Sequence, residues 1–244
     1  MKRFLVTIAF LAFASGSAHG EGAVALTWDS CTGPVDRTVA PGTVVSVYAS
    51  VLGHSTPHKA YQVWLRLRPA AGSMRDAWRF DAAGCQGPSF LSIDHLVVAA
   101  FAKTCPSFQG TFQSLQIKDY SYDAKTGACQ AVLADSYPAG NTAQTNPAQR
   151  YFLARFLFDM TFGVDGPTDP GVSCGGLEVP VCIQLTKSSY IVLDAADPSS
   201  VEERTWQVAQ EFVTANDPTN TSNCPGIIAA RPATWGAIKS QYRM

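Results

Sequence analysis

The sequence predicts an all-β protein, an antiparallel β-sandwich that carries one short C-terminal helix. Apolar residues recur at every second position in several segments, as strands with one buried face require. Turn-rich stretches separate these segments, and no long helical pattern lies between them. This arrangement favours antiparallel pairing over a parallel α/β fold. With 46% hydrophobic and 15% charged residues, the chain has enough apolar material for a packed core.

The first twenty residues have the composition of a secretory signal peptide. A basic head at positions 2–3 precedes an apolar run over 4–14, and small residues follow over 15–20. This order is that of a cleaved export signal. We expect cleavage after Gly20 or, almost equally, after Ala18. The product would be secreted, either extracellular or periplasmic.

The alternating segments are predicted strands, about ten in all. The clearest lie at 45–51, 61–68, 151–162 and 181–186. In the third of these, a predicted central strand, six apolar residues share one side: Phe152, Ala154, Phe156, Phe158, Met160 and Phe162. Weaker candidates are Ala23–Asp29, Phe90–Phe101, Phe112–Tyr120, Ala128–Ala134, Tyr190–Leu193 and Thr205–Thr214.

One helix is predicted near the end of the chain, at about 232–243. Trp235, Ile238 and Tyr242 lie three and four residues apart and would form one apolar stripe. A helix of about three turns is not stable alone. We therefore expect it to pack on the sandwich through Trp235, and the alternative is a docking peptide for another protein. Residues 21–244 would then form a single domain of immunoglobulin-like or cohesin-like style.

Seven cysteines follow the predicted signal peptide. An oxidising compartment favours disulfides, and the odd count leaves at least one cysteine free or bonded to another chain. We predict the pairs Cys85–Cys105 and Cys174–Cys182, because each pair brackets a short segment between neighbouring strands. The chain contains no C-x-x-C spacing, so the cysteines do not indicate a zinc site.

Three histidines follow the predicted signal peptide, His54, His58 and His95. His54 and His58 are four residues apart, but Pro57 argues against a helix that would place them on one face. A metal site would therefore need a loop to bring them together. His95 follows Asp94 in a predicted strand, where neighbouring side chains face opposite sides of the sheet. We therefore expect His95 to be an ordinary strand residue.

The sequence contains no local catalytic signature. It has no G-x-S-x-G elbow, cysteine-protease box or phosphate loop. Segment 165–171 has the oxygen-rich character of a calcium loop but lacks alternating Asp and Asn ligands. It is predicted to be an ordinary turn, with structural calcium as the alternative. We therefore predict no catalytic residue, metal or cofactor and lean away from an enzyme.

Three aromatic residues are candidate ligand contacts. Trp64 projects from the polar face of its predicted strand, and Tyr120 and Tyr122 alternate near a strand end. Exposed aromatic rings of this kind can stack on sugars. Packing of Trp64 beneath a neighbouring loop is an equally good interpretation.

Charge and hydropathy narrow the classes of partner. The chain carries 18 Lys and Arg residues against 19 Asp and Glu, a net charge of −1. Neither nucleic acid nor an anionic membrane surface is indicated by this balance. After the signal peptide, no apolar run approaches the roughly 20 residues of a membrane span.

Distinct sequence motifs lie near both ends of the chain. The N-terminal motif is Leu26-Thr27-Trp28-Asp29-Ser30-Cys31, an L-x-W-x-x-C element. The others lie at 78–85, 174–185, 223–226 and 233–243. Together they resemble a group of secreted bacterial proteins with no known activity, and the resemblance implies secretion and assigns no activity. Members of the group carry further cysteines where this chain has Leu177 and near Ala40.

These observations favour a secreted, non-enzymatic binding or structural adhesion protein of the cell envelope or extracellular matrix. Its partners would be other envelope or matrix proteins, or glycans, with self-association as a further option. One alternative is an extracellular hydrolase acting on polysaccharides or esters, with its site assembled from distant residues. Another is a module that binds a glycan or a small ligand. A sandwich fold by itself does not choose among them.

Overall fold

The computed structural model describes residues 22–70, 72–95, 100, 102–108, 117–137, 142–143, 145–193, 200–217 and 224. The predicted signal peptide and the predicted helix at 232–243 lie outside these residues. The strands are β1 (Ala23–Trp28), β2 (Asp36–Arg37), β3 (Val44–Leu52), β4 (Ala60–Pro69), β5 (Leu91–Asp94), β6 (Ile117–Asp123), β7 (Ala128–Ser136), β8 (Arg150–Asp159), β9 (Val181–Leu193), β10 (Val201–Thr205), β11 (Gln207–Gln210) and β12 (Phe212–Ala215). Two short 3-10 helices are Asp76–Trp78 and Pro88–Phe90. The predicted all-β class is confirmed.

The strands form two sheets. The five-stranded sheet has the order β11-β1-β3-β8-β5. The seven-stranded sheet has the order β2-β12-β9-β4-β7-β6, with β10 also paired to β9. Most pairs are antiparallel, as predicted, but β1–β11 and β12–β2 are parallel. The segment predicted as one strand, Thr205–Thr214, is divided among β10, β11 and β12 because the chain crosses between the sheets there.

The core lies between the two sheets. On β3, Val45, Val47, Ala49 and Val51 are at most 1% exposed. On β4 the inward residues Tyr61, Val63, Leu65 and Leu67 are at most 2% exposed, while the residues between them are half-buried. On β4 the alternation seen in the sequence is the pattern of burial, whereas on β3 the outward Tyr48 and Ser50 are buried as well. The sandwich is held by the apolar area that it removes from water.

Strand β8 contains an irregularity that the alternation did not predict. Ala154 pairs with Ala49 and Phe152 with Ser50, so Leu153 is an extra residue in the ladder. This bulge places Phe152 on the opposite side of the sheet from Phe156. The prediction that Phe152 and Phe162 share the core side is wrong. Phe152 lies on the outer face, and Phe162 lies beyond the end of β8 and is 42% exposed.

The disulfides join Cys31 to Cys105, Cys85 to Cys174, and Cys182 to Cys224. Cys129 on β7 is free and buried. All four cysteines chosen from the sequence are bonded, but the predicted pairs Cys85–Cys105 and Cys174–Cys182 are wrong. The bonds connect segments 74, 89 and 42 residues apart. These disulfide pairs were missed because cysteines that are near each other in the sequence are not the ones that are near each other in this fold.

Candidate functional site

The outer faces of the two sheets differ in what covers them. On the five-stranded sheet, Tyr48 and Phe152 point outward and are at most 2% exposed, because the Cys31–Cys105 disulfide packs with them in a small second core. The rings of Tyr48 and Phe152 meet edge to face at 5.8 Å. We call this surface, formed by Cys31, Tyr48, Cys105 and Phe152, the covered face.

Most outward side chains of the seven-stranded sheet are half-buried or exposed. The buried exceptions are Val132, Cys182, Ser189 and Thr214. We call this surface the open face and define it by the outward residues around Trp64 on β4, β7, β9 and β10. They are Gln62, Trp64, Arg66, Arg68, Gln130, Ala134, Ser136, Lys187, Ile191 and Glu203. It is our candidate functional site because its polar and aromatic groups reach solvent from a rigid sheet.

A hydrogen-bond network fixes the centre of the open face. The Gln62 amide nitrogen donates to Ser189 Oγ at 2.9 Å and to Glu203 Oε1 at 2.8 Å. The Trp64 indole N–H donates to Gln62 Oε1 at 2.9 Å, which fixes the orientation of the amide. Lys187 Nζ lies 2.9 Å from Glu203 Oε1. Hydrogen bonds, first from Ser189 and then from Lys187, hold the pKa of Glu203 below its usual range.

Positive charge is concentrated at one end of the open face. Arg66 and Arg68 are two residues apart on β4 and so point to the same side of the sheet. The cross-strand neighbours of Arg66 are Gln130 and Gln184, neither of which carries charge. Partial burial, followed by the charge of Arg66, lowers the pKa of Arg68. Two adjacent guanidinium groups in this setting are suited to a ligand with carboxylates.

A hollow of about 200 Å³ lies beside this network. It forms where small side chains stand next to longer ones across three strands. Its lining residues are Ala60, Tyr61, Gln62, Ala134, Asp135, Ser136, Ser189 and Ile191. The open face therefore combines a hollow, an aromatic ring and a pair of cations in one surface.

The three aromatic candidates have different positions. Trp64 lies on the open face, half-buried, with Lys187 Nζ 5.7 Å from its ring centroid. Tyr120 and Tyr122 lie on β6 opposite Ala131 and Cys129, whose side chains are buried. Both tyrosines pack against the main core.

The packing of Tyr120 and Tyr122 contradicts the expectation of exposed rings. The Tyr120 hydroxyl donates to the carbonyl oxygen of Trp78 at 2.5 Å. The Arg79 guanidinium lies 4.2 Å from the ring centroid of Tyr122. The alternation of β6 turns both rings toward the interior, where they are half-buried.

The structure brings His54 and His58 together inside the sandwich. Both are 0% exposed, and His54 Nε2 lies 3.0 Å from His58 Nδ1. The Trp206 indole N–H donates to His54 Nδ1 at 3.1 Å. Burial, followed by the nearby His54, lowers the pKa of His58 to about 3. The sequence showed that His54 and His58 are four residues apart. It did not show the contact between His54 and Trp206, because these two residues lie 152 positions apart in the chain.

The remaining sequence candidates are placed in ordinary surroundings. His95 is half-buried after β5, and burial is the main cause that lowers its pKa. The neighbouring Asp94 accepts hydrogen bonds from Arg155. In segment 165–171 the Gly166 N–H donates to Glu178, and the Thr168 hydroxyl donates to Asp76. Protein groups thus hold the turn in place.

No group of three or more His, Cys, Asp or Glu side chains is arranged to hold a metal ion in the described part of the chain. The His54–His58 contact is also unsuited to one, because Trp206 requires His54 Nδ1 as an acceptor and so places the proton of a neutral His54 on Nε2. Among the described residues, no helix has the length and apolar character to cross a membrane.

In a comparison with solved structures, the chain is similar to cohesin modules over most of its length. A cohesin module from the family 33 glycoside hydrolase of Clostridium perfringens is 8% identical, with a TM-score of 0.38, over 81% of this chain and 98% of the module. The second type II cohesin of the ScaA scaffoldin of Acetivibrio cellulolyticus is 10% identical, with a TM-score of 0.37, over 82% and 98%. The OlpA cohesin of a Clostridium thermocellum cohesin–dockerin complex is 8% identical, with a TM-score of 0.35, over 79% and 97%.

No protein-family model matches the chain. No curated protein matches it either. At sequence identities of 8 to 10% the roles of residues have to be inferred from this chain's own geometry.

Proposed function

We propose that this chain is a secreted, non-enzymatic binding or adhesion protein of the cell envelope or extracellular matrix, and that it binds its partner on the open face. The observation that carries the proposal is the network of Gln62, Trp64, Lys187, Ser189 and Glu203. It holds polar and aromatic groups rigidly at a solvent-facing surface. Preorganised groups lose little freedom on binding, which favours recognition.

The disulfides support the extracytoplasmic location. Three of them join distant parts of the described chain. Disulfides persist in oxidising compartments and are rare in a reducing cytosol. The predicted signal peptide, residues 1–20, gives the same location independently.

Binding is favoured over catalysis by where the titratable groups lie. His54 and His58 are fully buried, with His54 bonded to Trp206. His95 lies beside an Asp94 that is paired with Arg155. His54 and His58 are therefore closed to solvent, whereas hydrolysis by a histidine base requires the base to reach the substrate.

The chemistry of the open face points to an anionic polysaccharide as the partner. Gln62, Trp64, Arg66 and Arg68 form a row on one side of β4, about 20 Å long at about 3.3 Å per residue. A linear chain of uronic acid residues would place carboxylates at the arginines and a sugar ring near Trp64. An acidic protein segment is the competing partner, and the test below separates the two.

Binding of the purified mature protein to immobilised polygalacturonate tests this proposal. Replacing both arginines (Arg66→Gln with Arg68→Gln) should weaken binding by more than about tenfold, since each charge-assisted hydrogen bond contributes about 1.5–3 kcal/mol. The matched control removes two exposed cations elsewhere, Lys103→Gln with Lys125→Gln. It should bind as the unaltered protein does.

Three outcomes would contradict the proposal. Equal losses in the two double variants would show non-specific attraction of charge. Stronger binding to poly-L-glutamate than to polygalacturonate would indicate an acidic protein partner. Release of reducing ends from polygalacturonate would indicate a hydrolase.

A further inference from the structure

Residues 200–210 form a strap that passes from one sheet to the other. The strap contains β10, which pairs with β9 in the seven-stranded sheet, and β11, which pairs with β1 in the five-stranded sheet. Trp206 lies between them and is 2% exposed. It is the only buried residue of the strap, since every other residue in 200–210 is half-buried or exposed. Trp206 therefore anchors the strap.

The Trp206 side chain is the first donor in a chain of hydrogen bonds that runs through His54 to His58. An indole N–H can only donate, so His54 Nδ1 must accept the bond from Trp206. A neutral His54 then carries its proton on Nε2, which donates to His58 Nδ1 at 3.0 Å. His58 in turn carries its proton on Nε2. That nitrogen is buried without a hydrogen-bond partner among the described residues.

A further proton does not fit this chain of bonds. A proton on His54 Nδ1 would face the Trp206 N–H, and a proton on His58 Nδ1 would face the His54 N–H. In either case two donors would point at each other across about 3 Å, where a hydrogen bond had been. Protonation of His54 therefore breaks its bond to Trp206. Protonation of His58 breaks the bond between the two histidines, and the Thr56 backbone then accepts a hydrogen bond from the charged ring.

The surroundings of the pair are aromatic. Tyr61 of β4 and Tyr190 of β9 face it, as do Tyr137, Phe108 and Trp206. The carboxylate on this inner surface is that of Asp135, which lies opposite Tyr61 in the β4–β7 ladder and is 2% exposed. Burial raises the pKa of Asp135. A charge on either histidine would thus be poorly solvated by aromatic rings, and burial outweighs the Thr56 backbone hydrogen bond that favours a charged His58.

We propose that the strap is released by acid: protonation of His54 or His58 breaks the chain of bonds to Trp206 and frees residues 200–210 while the two sheets stay folded. The strap carries Glu203, which accepts the hydrogen bonds at the centre of the open face. Acid would therefore also loosen that face, a consequence that rests on the proposed function. Release of the strap itself does not depend on any partner.

The direction in which pH changes the release of the strap follows from the linkage between proton binding and release. The pKa of His58 is about 3 with the strap in place and returns toward 6.5 when the ring reaches water. The released state then binds more protons, so release is favoured as the pH falls below about 6.5. With one histidine titrating, the released population should rise about tenfold for each pH unit between about 6.5 and 3.

Amide hydrogen exchange of the free protein, followed by mass spectrometry at pH 7, 6 and 5, tests the proposal. After correction for the intrinsic pH dependence of exchange, peptides over 200–210 should exchange about tenfold faster per pH unit below about 6.5. Peptides from β3, β4 and β8 should keep their protection. Replacement of the other described histidine, His95→Gln, should leave this pattern unchanged.

Two further variants examine the bonds themselves. Trp206→Phe keeps a ring but removes the donor, so the strap should exchange faster than in the unaltered protein already at pH 7. The double variant His54→Asn with His58→Asn removes both titrating groups and should make the exchange of the strap independent of pH. Should that variant not fold, the unaltered protein and His95→Gln decide the matter alone.

The proposal is overturned if the strap exchanges equally at pH 7 and pH 5, or if all strands lose protection together. It is also overturned if a folded double asparagine variant keeps the original pH dependence. No polysaccharide is present in these measurements, so failure of the proposed binding function would leave their result unaffected.

Discussion

The covered face and the open face show how one sandwich uses its two outer surfaces differently. On the covered face, Tyr48 and Phe152 are as buried as core residues because a disulfide packs on them. On the open face, the equivalent central position is Trp64, which is half-buried and bonded to a polar neighbour. Apolar residues on an outer face need a cover, whereas polar residues bonded to each other can remain in contact with water.

Because one outer face is covered and the other is in contact with water, we expect the two faces to have different roles. The covered face adds to stability through a second core and a loop that is fixed by Cys31–Cys105. The open face adds little buried apolar area, so its ordered network supports the proposed role in binding. Variants matched across the two faces can therefore break or sharpen the comparison.

The largest change in the free energy of unfolding is expected from a comparison of two variants, each of which removes one aromatic ring from one face. Phe152→Ala should lower the free energy of unfolding by about 3–5 kcal/mol, as truncation of a buried aromatic does. Trp64→Ala should lower it by less than about 1.5 kcal/mol, because part of that ring already contacts water. Urea unfolding followed by circular dichroism measures both. Equal losses would show that the open face is also structural.

A smaller effect is expected from the disulfide of the covered face. Cys31→Ser with Cys105→Ser should cost about 2–4 kcal/mol and expose Tyr48 and Phe152, so the folded variant should bind the dye ANS. Cys182→Ser with Cys224→Ser is the control, since that bond lies outside the second core. ANS binding by the control to the same extent would argue against a cover specific to Cys31–Cys105.

The smallest effect is expected from the ion pair of the open face. The side chains of Lys187 and Glu203 are 41% and 48% exposed. Lys187→Gln should therefore change the free energy of unfolding by less than about 0.5 kcal/mol. Asp94→Asn breaks a more buried pair with Arg155 and should cost more. Chemical denaturation of the two variants compares them, and a larger loss for Lys187→Gln would contradict the division of roles.

Much of the sandwich could be predicted because the core-facing residues of β3 and β4 follow a period of two, although Tyr48 and Ser50 on the outer face of β3 are buried as well. That signal is local and depends on single side chains. The signal failed at Leu153, the extra residue of the β8 bulge, which turns the Phe152 side chain to the outer face. A pattern of hydrophobic residues does not show where a bulge occurs. It also failed at Asp36–Arg37, a two-residue strand that lies outside every predicted strand.

The candidate site was only partly predictable. The outward position of Trp64 followed from alternation. Its network did not, because Lys187, Ser189 and Glu203 lie on strands more than 100 residues away. The contact between His54 and Trp206 was hidden for the same reason. Pairing between strands that are distant in sequence is set by the whole topology, to which the local pattern of residues gives no access.

The buried position of Cys129 allows unfolding to be followed chemically. Burial raises the pKa of this thiol to about 11, and its side chain is enclosed by the core. Thiolate is the form that reacts, so the native state should be inert toward a maleimide. The other six cysteines are bonded in pairs. Each molecule that unfolds with its disulfides intact therefore presents one sulfhydryl group, and the rate of alkylation reports how often the interior becomes accessible.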